Sequence, residues 1–186
     1  MTLLLSLSSS NAQVKLRLEP GLPLRRSSYN SGELFNIEPH IAISNSKVIG
    51  LRFAVGLNTQ IFKNNESLQF ILNEEKDNAV FSFMPTFDYY FNEKYTRPYL
   101  GLGIGYCLVS SITLANTPDN IVEGIVNNQI GFLLRGGLEV GSTRLGLEYN
   151  LIPEADTRIE SNIVIGKLKN SYLGLTVGFV IGGLKH

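Results

Sequence analysis

The chain has 186 residues, 44% of them hydrophobic and 17% charged, with 16 basic and 16 acidic side chains and zero net charge. The length suits one domain with a substantial interior, the low charge excludes an ordinary water-facing surface, and the zero balance without a basic run longer than Arg25-Arg26 excludes a strong electrostatic pull on nucleic acid. No run of about 18 to 20 apolar residues occurs, so no helix can span a bilayer, and the single Cys107 excludes an intrachain disulfide and a thiolate metal site.

In chain order, Thr2–Leu7 is a short apolar stretch that leads into Ser8-Ser9-Ser10-Asn11-Ala12, with small residues at −3 and −1 of a cut before Gln13. This spacing predicts that residues 1–12 are the end of a secretory signal peptide, although the positively charged n-region is missing. The alternative is a frayed tail. Apolar alternation of period 2 then predicts eight strands. They span Gln13–Arg25, Glu33–Ser44, Lys47–Phe62, Asn78–Phe91, Arg97–Leu114, Asn128–Val140, Thr143–Ala155 and Ser171–Gly183. Short connections rich in turn residues fall at Asn45-Ser46, Asn92–Thr96 and Gly141-Ser142. Longer polar loops are expected around 26–32, 63–77, 115–127 and 156–170.

Parity sorts the strands into two faces. Residues 100 to 108 show it most clearly. Leu100, Leu102, Ile104, Tyr106 and Leu108 fall on one face, Gly101, Gly103 and Gly105 on the other. The large apolar face continues through, for example, Phe53, Phe83, Leu134 and Leu147, and no charge interrupts it within the strand cores. The second face carries Lys15, Arg17, Glu19, Glu38, His40, Arg52, Asp88, Arg135, Glu139, Arg144 and Glu148 among many glycines. Two closed barrels fit this pattern: a soluble one with the apolar face inward, and a membrane one with the apolar face on lipid. Three features point to the membrane. The polar face is crowded with glycine, it is poor in lysine, and the apolar face is uniformly large with Phe and Tyr near strand ends. The fold class expected is all-β, an eight-stranded antiparallel up-and-down transmembrane barrel over 13–186.

The signal-like start ending in Asn11-Ala12-Gln13, the eight alternating strands and the closing segment from Tyr172 to Gly183 resemble the small outer-membrane β-barrel proteins of Gram-negative bacteria. The nearest types are the OmpX-like proteins, the membrane domain of OmpA and the barrels of Bacteroidetes type. The resemblance covers Gln13 to Lys185 and implies a place in the cell outer membrane, with membrane lipid and the outer-membrane assembly machinery as partners. Many such barrels end in an aromatic residue that this machinery reads, whereas this chain ends Leu184-Lys185-His186.

Candidate chemistry is sparse. His40 shares a strand face with Glu38, but Ile41-Ala42 follow it, with no serine at the close spacing a hydrolytic pair would show. The expectation is a hydrogen-bonded interior histidine, with no catalytic residue. No second histidine with ligand spacing, cysteine cluster or carboxylate run suggests a metal, and no cofactor is expected. Gly101-x-Gly103-x-Gly105 keeps strand period, whereas a dinucleotide loop would open a helix. The interior set of Arg17, Glu19, Glu38, His40, Arg52, Asp88, Arg135, Glu139, Arg144 and Glu148 could line a selective pore or form a paired plug. An eight-stranded lumen holds little more than its own side chains, so a structural plug is expected. Leu68, Phe70, Ile71 and Leu72 lie within the acidic loop 63–77, where a strand extension above the membrane is expected ahead of a patch that contacts a partner or lies on the lipid surface. The leading expectation is a non-enzymatic envelope protein acting structurally or through an extracellular partner at its loops. A narrow transport barrel comes second, and a lipid-modifying enzyme third.

Overall fold

The computed structural model describes residues 14–24, 32–64, 71–72, 78–117, 120–159 and 163–182. The expected leader 1–12, its cut before Gln13, the loop residues Leu68 and Phe70, and the C-terminal Leu184-Lys185-His186 lie outside the described residues.

The described strands are, in chain order, β1 (Lys15–Pro23), β2 (Glu33–Ser44), β3 (Lys47–Leu57), β4 (Ile61–Asn64), β5 (Ile71–Leu72), β6 (Ala79–Tyr90) and β7 (Thr96–Val109). There follow β8 (Ile112–Thr117), β9 (Asn120–Val126), β10 (Gln129–Val140), β11 (Thr143–Leu151), β12 (Ala155–Arg158), β13 (Val164–Lys169) and β14 (Tyr172–Ile181). Eight of them close an antiparallel barrel in the order β1-β2-β3-β6-β7-β10-β11-β14 and back to β1. Closure leaves no unpaired barrel edge, the condition for crossing lipid with strands.

The large apolar side chains of these eight strands point outward. Phe53, Phe83, Leu102, Leu134, Leu147 and Leu175 are all exposed on the barrel wall. Their neighbours in sequence point in and are buried, as the burial alternation of β11 shows along its length. At the short-turn end, Gly141 takes a left-handed φ of 60° between β10 and β11, and Asn92 Oδ1 accepts a hydrogen bond from the backbone of Lys94 at 3.0 Å. Tyr89, Phe91 and Tyr95 are exposed there, and Tyr89 and Phe91 meet edge to face at 5.4 Å.

At the long-loop end the structure corrects the expected strand bounds. Three expected strands, to Phe62, Leu114 and Ala155, each break in two. After β3, Asn58 adopts φ 52°, a region open to asparagine at small cost. Its backbone N–H donates to the Asn78 carbonyl at 2.7 Å, and its Oδ1 accepts from the Asn78 N–H at 3.1 Å. After β7, Ser110 Oγ accepts from the Ala79 N–H at 2.9 Å. After β11, Ser171 Oγ bonds the Ile152 N–H and carbonyl at 3.0 and 2.7 Å just before Pro153, which cannot donate to a ladder.

Beyond these joints, much of what the sequence predicts as loop is sheet. β4, β13, β12, β9, β8 and β5 form a second, six-stranded sheet in that order. It has its own apolar core of Val109, Ile112, Leu114, Val126, Ala155, Ile165 and Leu168, with Phe62 and Ile159 packed against it. The barrel is therefore roofed by an ordered apolar layer.

Candidate functional site

The barrel interior holds the densest polar chemistry among the described residues. The ten interior residues expected from the sequence all lie there, buried, the most exposed of them His40 at 6%. Register explains how they meet. Asp88 of β6 pairs with Gly101 of β7, Gly101 with Arg135 of β10, and Arg135 with Glu148 of β11. A bare glycine thus separates Asp88 from Arg135, and a Cβ at Gly101 would collide with the Asp88 carboxylate. The two side chains meet across that gap, Arg135 Nε donating to Asp88 Oδ1 at 2.9 Å. Gly178 does the same for Glu19, whose Cγ lies 2.6 Å from where a Cβ would be.

The central cluster is built on Glu38 and Asp88. Glu38 Oε1 accepts from Arg17 Nη1 at 3.0 Å, Arg135 Nη2 at 2.8 Å and Thr86 Oγ1 at 2.9 Å, and Oε2 accepts from Arg135 Nη1 at 2.5 Å. Asp88 Oδ2 accepts from Arg17, Arg135 and Arg144 at 3.1, 3.0 and 2.9 Å. Glu19 Oε1 lies 3.1 Å from Arg144 Nε. Toward the short turns, Arg97 pairs with Glu139 at 2.5 Å, and Tyr90 donates to the same carboxylate at 2.5 Å. The guanidinium of Arg144 stacks 3.4 Å over the Tyr99 ring, and that of Arg97 sits 4.0 Å over Tyr90. Four arginines (Arg17, Arg97, Arg135, Arg144) thus face four carboxylates (Glu19, Glu38, Asp88, Glu139). Each of these charges is ion-paired with an opposite one, which offsets the cost of burying it, while Arg17 Nε, Glu19 Oε1 and Arg144 Nη2 are buried without a hydrogen-bond partner.

Toward the long-loop end, Arg52 Nη2 bridges both oxygens of Glu148 at 2.7 Å, and Asn150 donates to Glu148 at 3.1 Å. Arg52 Nε and Nη1 and both amide atoms of Asn36 are buried without a hydrogen-bond partner. Above this pair lies an apolar layer of Val80, Met84, Cys107, Leu133 and Ile152, and above that the roof core. His40 Nδ1 lies 3.2 Å from the Glu38 carbonyl.

Arg97, Tyr90 and Tyr99 belong to this cluster but are absent from the expected set. Tyr90 has the inward parity of Asp88, and Arg97 and Tyr99 have that of Gly101, so parity was the signal for all three. The inward apolar layer shows in the same way, through Leu133 beside Leu134. Outside the barrel, Lys63 Nζ pairs with Glu154 at 2.6 Å on the roof sheet. That hydrogen bond holds the Glu154 carboxyl below the usual carboxylate range.

No family model matches the sequence, and no curated protein matches it. Among solved structures, the chain is similar to Neisserial surface protein A, with TM-score 0.51, 16% identity, and coverage of 92% of this chain and 97% of that one. It also matches Ail, the attachment invasion locus protein of Yersinia pestis, with TM-score 0.45, 12% identity, and coverage of 91% and 97%. A third match is the outer membrane enzyme PagL, with TM-score 0.41, 11% identity, and coverage of 91% and 99%. The chain has the fold of the small eight-stranded outer-membrane β-barrels.

Proposed function

We propose that this protein is an integral outer-membrane barrel with a structural or surface-interaction role, carried by the sheet at its long-loop end. The observation that supports this most is the filled interior. A neutralised charge cluster, an apolar layer and a roof core lie in series along the axis, while the outer wall is a continuous apolar band. An apolar exterior over a polar interior is the pattern of a lipid-embedded barrel, whose short turns face the periplasm and long loops the outside. Membrane lipid and the assembly machinery are the partners this reading requires, and an extracellular partner at the roof sheet is the one it offers.

The transport reading comes second. The unpartnered polar atoms of Arg52 and Asn36 favour it, since a small polar solute could satisfy them. Cell fractionation, a heat-modifiability gel and planar-bilayer recording together test the proposal. Outer-membrane recovery, a mobility shift on boiling and a silent bilayer are expected. Recovery as a detergent-free soluble monomer would overturn the membrane assignment, and stable large openings would put transport first.

A further inference from the structure

Around the barrel, β3 and β14 are separated by β2 and β1. In the roof this separation is gone. β4, which continues from β3, pairs directly with β13, which leads into β14. β4 therefore crosses the β1–β2 side of the mouth as a strap, while β8 with β9 and β12 with β13 rise as hairpins. Asn58, with its φ of 52°, makes the turn that sends the strap across. The base of the strap packs into the lumen: Thr59 Cγ2 and Leu34 Cδ2 lie 3.1 and 3.5 Å from the inward position a Cβ at Gly56 would take. Leu34 is buried there, and Asn36 and Glu38 follow it inward along β2.

The strap is lightly held. Among the described residues β4 is an edge strand paired with β13 alone, over the four positions from Ile61↔Lys169 to Asn64↔Gly166. Phe62 packs against the roof core. Lys63 reaches Glu154 at 2.6 Å with both side chains exposed, where an ion pair is worth little, and Lys167 and Lys169 act on the same carboxylate from β13. Carried one step further, the ladder sets Gln60 opposite Asn170, both buried. Gln60 Oε1, both amide atoms of Asn170 and the Thr59 hydroxyl have no hydrogen-bond partner. Buried polar atoms without partners carry a desolvation cost that water would relieve. Each of these four atoms shifts the balance toward a lifted strap.

We propose that β4 is a hinged strap that lifts off β13 about Asn58 as a unit and opens the β1–β2 side of the lumen to the outside, down to Leu34. Lifting gives up a four-residue ladder and the Phe62 contact, and it hydrates the atoms at the hinge. The rest of the roof core stays whole, because Ile112, Leu114, Ile165 and Leu168 belong to the two hairpins. The charge cluster below Leu34 stays closed, so the lifted strap admits solvent without making a channel. The inference concerns the roof alone and stands whether the wall lies in lipid or in water.

The test uses the full chain, refolded, with Cys107→Ser as background and Leu34→Cys as a probe beneath the strap. A water-soluble maleimide is added, and the mass of the peptide carrying residue 34 is followed in time. Leu114→Cys, fully buried in the roof core on β8, is the control. Position 34 is expected to label about tenfold faster than position 114, since the strap opens without the rest of the roof. Lys63 and Lys167 stand opposite each other in the ladder, at a spacing a disulfide can bridge. Oxidising Lys63→Cys with Lys167→Cys should bring the rate at 34 down to that at 114. Asn170→Leu, which removes two of the unpartnered atoms, should slow labelling at 34 about tenfold. Should Leu34→Cys give no heat-modifiable band, Thr59→Cys at the base of the strap replaces it as the probe. Equal rates at 34 and 114 in the unlocked chain overturn the strap, as does labelling at 34 that ignores the disulfide. An unchanged or faster rate in Asn170→Leu overturns the part given to the hinge atoms.

Discussion

Glu38 takes part in four hydrogen bonds, three of them from two arginines. Removing its charge takes acceptors from Arg17 and Arg135, both buried. Glu38→Gln is expected to cost about 3 to 5 kcal/mol, read as a lower urea midpoint for the refolded barrel. Asp88 keeps contacts to Arg17, Arg135 and Arg144 in that variant, so the barrel should still form. The neighbours Leu134 and Arg135 separate lipid from lumen within one residue: Leu134 is 54% exposed and Arg135 3%. Leu134→Arg is expected to cost about 2 to 4 kcal/mol if the site lies near the midplane. In cysteine variants, a lipid-soluble probe should label position 134 and spare 135. The opposite labelling would turn the barrel inside out.

At the scale of strands, the barrel was legible and the roof was not. Alternation in β7 and β11 is strict enough that a one-residue slip would reverse every side chain, so those strands admitted one reading. Ile112 and Leu114 continue the same period past Val109, and nothing in apolar pattern alone marks the break at Ser110. The break depends on the Ser110 hydroxyl reaching Ala79, 31 residues away in sequence, a contact no local window contains. Asn58 is similar, because its left-handed turn is held by Asn78. Between β8 and β9, Thr117-Pro118-Asp119-Asn120 is turn-forming sequence, and it marks a hairpin inside a stretch that composition alone presents as a loop. The interior cluster was largely legible, since charged residues in strands can only face one way. Arg97, Tyr90 and Tyr99 could be found only by carrying the parity of Asp88 and Gly101 on to the strand ends, since residue type does not place Tyr on either face. The roof core gives the prediction at this scale. Leu168 is fully buried in it, and Leu168→Ala should cost the roof about 2 to 5 kcal/mol. Limited proteolysis should then cut within 112–126 and 155–169 while the barrel strands stay protected. Simultaneous loss of the barrel would mean that roof and wall fold as one cooperative unit.

For the molecule as a whole, the question is whether anything passes through it. An ion entering from the long-loop end would meet the apolar roof, then the layer around Met84 and Leu133, then arginines and carboxylates already bonded to one another. The first two layers offer no solvation, and transfer of a charge into such surroundings is costly. The third offers partners only if existing pairs open, and each opened pair leaves a buried charge behind. Eight strands cannot widen to bypass these barriers without losing their own register. The purified protein is therefore expected to show no steady conductance in planar bilayers. Leu168→Ala should be equally silent, because loosening the roof leaves the two inner barriers in place. Conductance gained in that variant alone would place the sole barrier at the roof and make the long-loop end a gate. Steady nanosiemens openings of the unaltered chain would mean that the charged layer parts readily, and the surface role would give way to transport.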